Sequence, residues 1–466
     1  MNRTYNVYKG LVVFLFLFFT ASVFSQTLSL EDAVNSGLAN YSGIQSKHAY
    51  LGASQEYLKQ TKREYLPSLT LAAQQDYGTV NGQNGPLYGF GGFGVASSGL
   101  PLPEQNWNAA FGALYLVNFN WDFFTFGRTR QRIGLAAADT ARYQSDLEQE
   151  KFQLKIRITA AYLNLLASQR LEASQERNLS RALVFQSTAV ARAQNGLIAG
   201  VDSSLAAAEV SKARMLVNQS RDLVKEQNNK LTVLMGVEPH NYTLDTSFVV
   251  RIPKALANLP SENDSLHPVL QYYKSRVDYS TQQEDLFRRN YFPKFSLFGV
   301  YQTRASGFNS NYAVDQTSFT HNYADGITPN RQNYLFGVGA SWNLTSLFIV
   351  SRQTSAQHFI SQAMQEDYEL VDQQFKAQLD AANTKISYSL ANYEEAPIQV
   401  NAAQQAYLQR SALYENGLTT IVELTQTLYT LNRAETDRDI AFTNVWQAFL
   451  LKVAATGNFD SFLQAF

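Results

Sequence analysis

The chain has 466 residues and no cysteine, with 38 basic against 39 acidic side chains and a hydrophobic content of 45%. Its length exceeds that of one ordinary compact domain and suggests two or three. The missing thiols exclude disulfides, cysteine-ligated metal sites and cysteine nucleophiles, the balanced charge argues against nucleic-acid binding, and the hydrophobic content excludes a disordered chain.

The amino terminus has the layout of a secretory signal peptide, which we predict at residues 1–25. Arg3 and Lys9 precede an apolar stretch at 11–19, and the small residue Ser25 closes it. The alternative is an uncleaved membrane anchor, but nine apolar residues are well short of the ~20 that a spanning helix needs. Because no other long uncharged apolar run follows, insertion into a membrane would require a β-barrel.

The remainder of the chain is internally duplicated. The motif at 63–67 is repeated at 289–293, and Asn-Gly-Leu at 195–197 is repeated at 416–418, an offset of 221 residues. An interval this long indicates a duplicated domain rather than a short solenoid repeat. We predict a first structural repeat at 26–236, a linker or equatorial segment at 237–266, a second repeat at 267–457 and a C-terminal tail at 458–466.

Each repeat is predicted to begin with a helix followed by two β-strands. The helices lie at 29–64 and 268–290, and the strands at 68–77, 109–122, 294–304 and 333–344. Apolar and polar residues alternate along each strand over about ten residues, a pattern typical of transmembrane barrel strands. The alternative for any single strand is a soluble sheet packed on helices. Four strands cannot close a pore, so several chains must combine theirs, and three would supply twelve.

Large aromatic residues recur on the predicted strands. We expect them to form the band that faces the lipid: Tyr115, Phe119, Trp121, Tyr334 and Trp342. Just beyond the strand ends, Arg128 and Arg352 are expected to anchor the barrel at the membrane interface.

Each repeat ends in a predicted antiparallel helical hairpin, at 128–236 and at 352–457. Only one glycine occurs between 128 and 195, and only Pro397 interrupts the corresponding stretch of the second copy. The apolar side chains step by 7, 4 and 7 residues, as in a coiled-coil seam, at Leu147, Leu154, Ile158 and Leu165. Glycines mark the turn of the first hairpin, and Asp202 is expected to cap the returning helix.

Three sequence motifs and the duplicated order of strands and helices resemble those of the TolC-type outer-membrane efflux proteins over residues 28–457. The motifs are Arg-Glu-Tyr-Leu-Pro at 63–67, Gly-Leu-Ile-Ala-Gly-Val-Asp at 196–202 and Gly-Leu-Thr-Thr-Ile-Val-Glu at 417–423. The resemblance implies an α+β membrane protein: a trimeric twelve-stranded outer-membrane β-barrel, with four strands per chain, continued by a long periplasmic α-helical coiled-coil tunnel.

The resemblance also implies a function and partners. The homotrimer would be the exit channel of a tripartite efflux pump or a type I secretion system, docked to a periplasmic adaptor and an inner-membrane transporter. It implies no enzymatic activity and no cofactor. The adaptor would dock at the hairpin tips, near Gly196, Leu197, Gly200, Gly417 and Leu418. The alternative is a periplasmic coiled-coil scaffold that binds partners without forming a pore.

In the member that gives the family its name, an aspartate, a tyrosine and an arginine at the hairpin ends form tethers that close the tunnel. The matching residues here are Asp202, Tyr414 and Thr419, so the arginine is lost. Two acidic rings of that protein's constriction correspond to Glu423 and Gln426, so only one remains charged. We expect Asp202→Ala or Tyr414→Phe to raise single-channel conductance.

Ordinary structural roles remain open for three of these residues. Asp202 could serve mainly as a helix cap, Tyr414 could pack in the coiled-coil seam, and Glu423 could be a solvated charge.

The histidines are scattered and never take the spacing of metal ligands. We find no nucleophile motif, phosphate-binding loop or dinucleotide-binding motif, so the sequence offers no catalytic and no metal-binding residues.

Overall fold

The computed structural model describes residues 27–82, 99–245, 251–253 and 267–465. The predicted signal peptide and most of the predicted linker lie outside these residues. The chain divides into two compact units: a helical one from Met1–Gly52, Arg142–Arg276 and Gln365–Phe466, and one from Ala53–Ala141 and Val277–Met364 that contains the sheet. Both repeats contribute to both units, because each repeat runs through the sheet and returns to the helices.

Two helices, rather than the single predicted one, precede the first strand. They are α1 (Leu30–Asn40) and α2 (Ser42–Arg63). The Ser29 side chain caps α1 by accepting from the Asp32 backbone N–H at 3.1 Å. Tyr41, between the helices, has an extended backbone with ψ 118°, which breaks the helical hydrogen-bond ladder there.

The sheet has four antiparallel strands in the order β1-β2-β3-β4. They are β1 (Ser68–Thr79), β2 (Ala109–Phe124), β3 (Lys294–Ser306) and β4 (Arg331–Ser341). β1 and β4 are the edges, and their outer backbone groups have no strand partner within the described chain. The last strand ends at Ser341, three residues before the predicted end, so Trp342 lies just beyond it.

The remaining helices form the two predicted hairpins and three shorter elements. They are α3 (Arg128–Gln194), α4 (Gly200–Met235), α5 (Pro268–Arg289), α6 (Tyr323–Ile327), α7 (Ser346–Glu415), α8 (Ile421–Thr456) and α9 (Asp460–Leu463). α7 begins six residues before the predicted start and continues through Pro397. A proline removes only one of the many hydrogen bonds of so long a helix. No helix in the described part of the chain is long and apolar enough to cross a membrane.

The core of the helical unit contains the predicted coiled-coil seam. Leu154, Ile158 and Leu165 are fully buried and Leu147 is 1% exposed. The same cluster contains Trp446 of α8 and Phe462 of α9, whose ring centroids lie 5.8 Å apart. The predicted C-terminal tail therefore packs in this core. The α+β fold with four strands and two long helical hairpins agrees with the expectation from sequence.

Two glycines with left-handed backbones allow a matched test of chain packing. Gly236 (φ 66°) ends α4, and a Cβ there would lie 2.7 Å from the Asn40 backbone; Gly196 (φ 72°) has nothing within 4 Å. Gly196→Ala should destabilise the fold by about 1–2 kcal/mol through backbone strain alone. We expect Gly236→Ala to cost a further ~1–3 kcal/mol, because the backbone of α1 must shift. Thermal melts of both variants should differ accordingly, and equal losses would contradict the predicted contact.

Candidate functional site at the hairpin tips

The tips of the two helical hairpins pack against each other through a small apolar cluster. α3 contributes Phe185 and Ala189, α4 contributes Ala206, α7 contributes Tyr414, and α8 contributes Ile421 and Leu424, all of them buried. Because all four helices take part, this cluster holds the two hairpin ends of one chain together.

The two hairpin turns have the same backbone geometry. Gly196 and Gly417 adopt left-handed conformations with φ 72° and 77°. In the first turn the Leu197 N–H donates to Arg192 O at 2.9 Å, and in the second the Leu418 N–H donates to Leu413 O at 2.9 Å. This is the Schellman arrangement that closes a helix C-terminus. The duplication seen in the sequence is therefore preserved at the tips.

Arg192, near the end of α3, links the first hairpin to the second. Its Nη1 donates to Tyr414 O and, at 2.8 Å, to Glu415 O. These carbonyls lie at the C-terminus of α7, where helix carbonyls lack partners and the helix dipole favours a cation. The guanidinium carbon also lies 5.2 Å from the centre of the Tyr414 ring. A Cβ on Gly417 would sit only 3.3 Å from Nη2.

Sequence reasoning missed Arg192. Its acceptors are backbone carbonyls more than 220 positions away, and no motif identifies such a partner. The available signal was a basic side chain in the last turn of a predicted helix, close to the turn glycine.

Tyr414 packs in the apolar cluster. It is 3% exposed, and its ring lies 5.8 Å from that of Phe185. Its hydroxyl is buried and has no hydrogen-bond partner among the described residues. Burial raises the pKa of Tyr414 above its usual value; the positive charge of Arg192 opposes this rise and the Asp202 carboxylate adds to it.

Asp202 lies half-buried in the first turn of α4, but it is not the N-cap. The cap position is Ala199, which makes no side-chain hydrogen bond, so the helix begins earlier than predicted. Within the described chain the Asp202 carboxylate makes no hydrogen bond or ion pair. The predicted tether between Asp202 and Tyr414 is therefore not formed inside one chain, and it stays a prediction for contacts between chains.

The second turn contains an ion pair between Arg410 and Glu423 that the family resemblance did not imply. Thr419 donates to Glu423 Oε2, and Arg410 Nη1 lies 3.2 Å from the same oxygen and 3.3 Å from the Thr419 hydroxyl. Thr420 caps α8 by accepting from the Glu423 N–H at 3.3 Å. The hydrogen bond from Thr419 is the main cause that lowers the pKa of Glu423; desolvation opposes it, and the charge of Arg410 and a backbone hydrogen bond from Thr420 add to the lowering. Glu423 is thus ionised and paired within its chain, and Gln426 is exposed nearby.

Equivalent apolar side chains are exposed at the two tips. Leu197 and Leu418 are 66% and 73% exposed, and Val201 and Val422 are 63% and 66% exposed. Both pairs are related by the repeat offset. Exposed apolar side chains at adjoining hairpin turns are typical of a surface that binds a partner. Gly200, which lies between Leu197 and Val201 in the chain, begins α4 with open space around it.

Four of the five residues of the predicted aromatic band lie on one face of the sheet. Phe119 pairs with Leu69 and Gly299, and Tyr301 pairs with Tyr334. Because side chains alternate, this register places Tyr115, Phe119, Trp121 and Tyr334 on the same face. Trp121 Nε1 donates to Tyr65 O at 2.8 Å, and Trp342 Nε1 donates to Tyr291 O at 3.0 Å, the same contact in both repeats.

The described residues contain no group of three or more side chains placed to hold a metal ion. The sequence matches the family model described as "Outer membrane efflux protein" over residues 33–237 and 259–447. No curated protein sequence shows significant similarity to the chain.

Several solved membrane proteins have a similar fold. VceC from Vibrio cholerae has 16% identity and a TM-score of 0.70, with 92% of this chain and 96% of that one covered. CusC has 12% identity and a TM-score of 0.73, with 92% of both chains covered. The Neisseria gonorrhoeae MtrE channel, solved in its open state, has 13% identity and a TM-score of 0.67, with coverages of 92% and 88%.

Proposed function

The chain belongs to the outer membrane efflux protein family, and from this membership we propose that it is the exit channel of a tripartite efflux pump or a type I secretion system. Members of the family are outer-membrane transport channels with a periplasmic tunnel rather than enzymes. The proposal is that substrates delivered by an inner-membrane transporter and a periplasmic adaptor pass through passively.

The observation that carries the proposal is the match to the family across both repeats, together with a sheet that is open at both edges. A four-stranded sheet cannot close on itself, and unpaired edges are satisfied when another chain continues the sheet. We propose that three chains pair β1 of one with β4 of the next to form a twelve-stranded barrel. The scaffold alternative is disfavoured because the family consists of channels.

The hairpin tips are the proposed docking surface for the adaptor. This proposal is supported by the exposure of equivalent leucines, Leu197 and Leu418, at the two turns. The test is photo-crosslinking in cells, with a photoreactive residue at each leucine and a control at Val233, which is 69% exposed but lies near the far end of α4. We expect a periplasmic adaptor, identified by mass spectrometry, at the two tips only. Crosslinks to it from Val233 alone, or from no position, would overturn the proposal.

The same tips are the proposed periplasmic gate. The proposed gate residues at or near the hairpin ends are Asp202, Tyr414, Thr419, Glu423 and Gln426. Within one chain, the polar contacts at these ends are made by Arg192 and Arg410. Since Arg410 partly neutralises Glu423, we expect block by divalent cations at the channel mouth to be weak.

A further inference from the structure

Basic side chains are concentrated at the end of the sheet where the strands join the helices. We call this end the helix-side rim. In residues 62–68, 120–134, 284–296 and 341–354 there are nine basic and four acidic side chains. The chain as a whole has nearly equal numbers of both. The basic members are Lys62, Arg63, Arg128, Arg130, Arg132, Arg288, Arg289, Lys294 and Arg352.

Most of this positive charge is not neutralised by the chain itself. Arg132 pairs with Glu64 at 3.2 Å and Lys294 pairs with Asp122 at 3.0 Å. Arg288 pairs with Glu284 on its own helix, α5. The other six basic side chains of the helix-side rim make no ion pair within the described residues.

A cavity of about 390 Å³ opens at this rim, beside β2 and the first turns of α3. Its polar lining includes Arg128 and Arg132, which lie four residues apart and so share one face of α3, and also the carboxylates Glu64 and Asp122. Glu64 pairs with Arg132 and Asp122 pairs with Lys294, so Arg128 is the lining cation that has no ion pair within the described residues. Its apolar lining includes Trp121, Tyr65, Leu66 and Phe287. Tyr65 and Leu66 are 43% and 65% exposed, so an apolar surface leads from the cavity to the solvent or lipid.

The cavity is also continuous with the aromatic face of the sheet. Trp121 belongs to that face through its register with Leu297, and its ring contacts Tyr65 with centroids 5.8 Å apart. In a family with a periplasmic tunnel, the helix-side rim is the end of the sheet that meets the periplasmic leaflet of the outer membrane. Cations placed beside aromatic residues at this depth fit phosphate headgroups.

We propose that this cavity binds one anionic glycerophospholipid of the periplasmic leaflet. Arg128, which has no ion pair within the described residues, holds the phosphate through a charge-assisted hydrogen bond, while Trp121 and Leu66 contact the first part of the acyl chains. The inference rests on the outer-membrane location and not on the proposed pump, so it stands or falls independently of which transporter the channel serves.

The test is native mass spectrometry of the purified full-length protein in detergent, titrated with phosphatidylglycerol or with neutral phosphatidylcholine. We expect about one tightly bound phosphatidylglycerol per chain and at least roughly tenfold weaker binding of phosphatidylcholine. Arg128→Ala should weaken phosphatidylglycerol binding about tenfold, the loss of one charge-assisted contact of ~1.5 kcal/mol. Arg352→Ala is the matched control, since it removes an equal charge from the same rim outside the cavity.

Three outcomes would overturn the proposal. Equal binding of both lipids would show that the anionic charge is not recognised. Equal losses in Arg128→Ala and Arg352→Ala would show diffuse attraction to the rim instead of a site. Displacement of the lipid by inorganic phosphate at millimolar concentration would show a plain anion site without acyl contacts. A thermal melt of each variant confirms that the compared proteins are folded.

Discussion

Arg192→Ala should raise the single-channel conductance of the protein in planar bilayers. The guanidinium donates to two carbonyls at the end of α7 and stacks on Tyr414, so its removal releases the second hairpin tip from the first. Hydrogen bonds from a charged donor contribute about 1.5–3 kcal/mol each. A loss of ~3 kcal/mol from the closed arrangement shifts the closed-to-open ratio on the order of 100-fold.

Arg221→Ala is the matched control for this experiment. Arg221 also forms ion pairs, with Glu172 at 3.2 Å and Glu176 at 2.7 Å, but both partners belong to the same hairpin. Conductance should therefore stay at the wild-type level in Arg221→Ala. If Arg192→Ala is folded and conducts like the unmodified protein, the Arg192 contact does not hold the gate.

Tyr414→Phe separates two versions of the gate. Its hydroxyl has no hydrogen-bond partner within the described chain, whereas the ring remains available for Arg192 in the variant. An increase in conductance would indicate that the hydroxyl is used between chains, as the resemblance implies. Wild-type conductance, beside a large increase in Arg192→Ala, would assign the closing contact to Arg192 alone.

Trp446→Ala should cause the largest loss of stability of any substitution considered. Trp446 is 1% exposed, contacts Phe462 and Phe449, and donates from Nε1 to Arg251 O at 3.2 Å. Truncating a buried aromatic side chain costs about 3–5 kcal/mol through lost burial and the cavity that remains. For a unit of this size we expect the melting temperature in detergent, followed by circular dichroism, to fall by roughly 10 °C.

Trp107→Ala is the control for that measurement. Trp107 is 81% exposed in the segment before β2, so its truncation should change the free energy of unfolding by no more than about 0.5 kcal/mol. Similar shifts in both variants would mean that Trp446 is not a core residue.

The elements with regular periodicity could be predicted from the sequence. The steps of 7, 4 and 7 residues identified a seam that is fully buried, and the alternation along β2 identified the face that carries Phe119 and Trp121. These patterns are readable because helices and strands repeat at 3.6 and 2 residues. The boundaries were less accurate: a single extended residue, Tyr41, divides the first predicted helix in two.

The sequence by itself determined the duplication, the strands, the hairpins and, through its motifs, the family. Only the tertiary structure showed that Arg192 reaches the carbonyls of α7, that Arg410 pairs with Glu423, and that Asp202 is not a helix cap. Local backbone preference and hydrophobic period depend on neighbouring residues, and the chain records them in order. A side chain that meets a backbone carbonyl of a distant helix depends on the packing of the two hairpins, which no local pattern encodes.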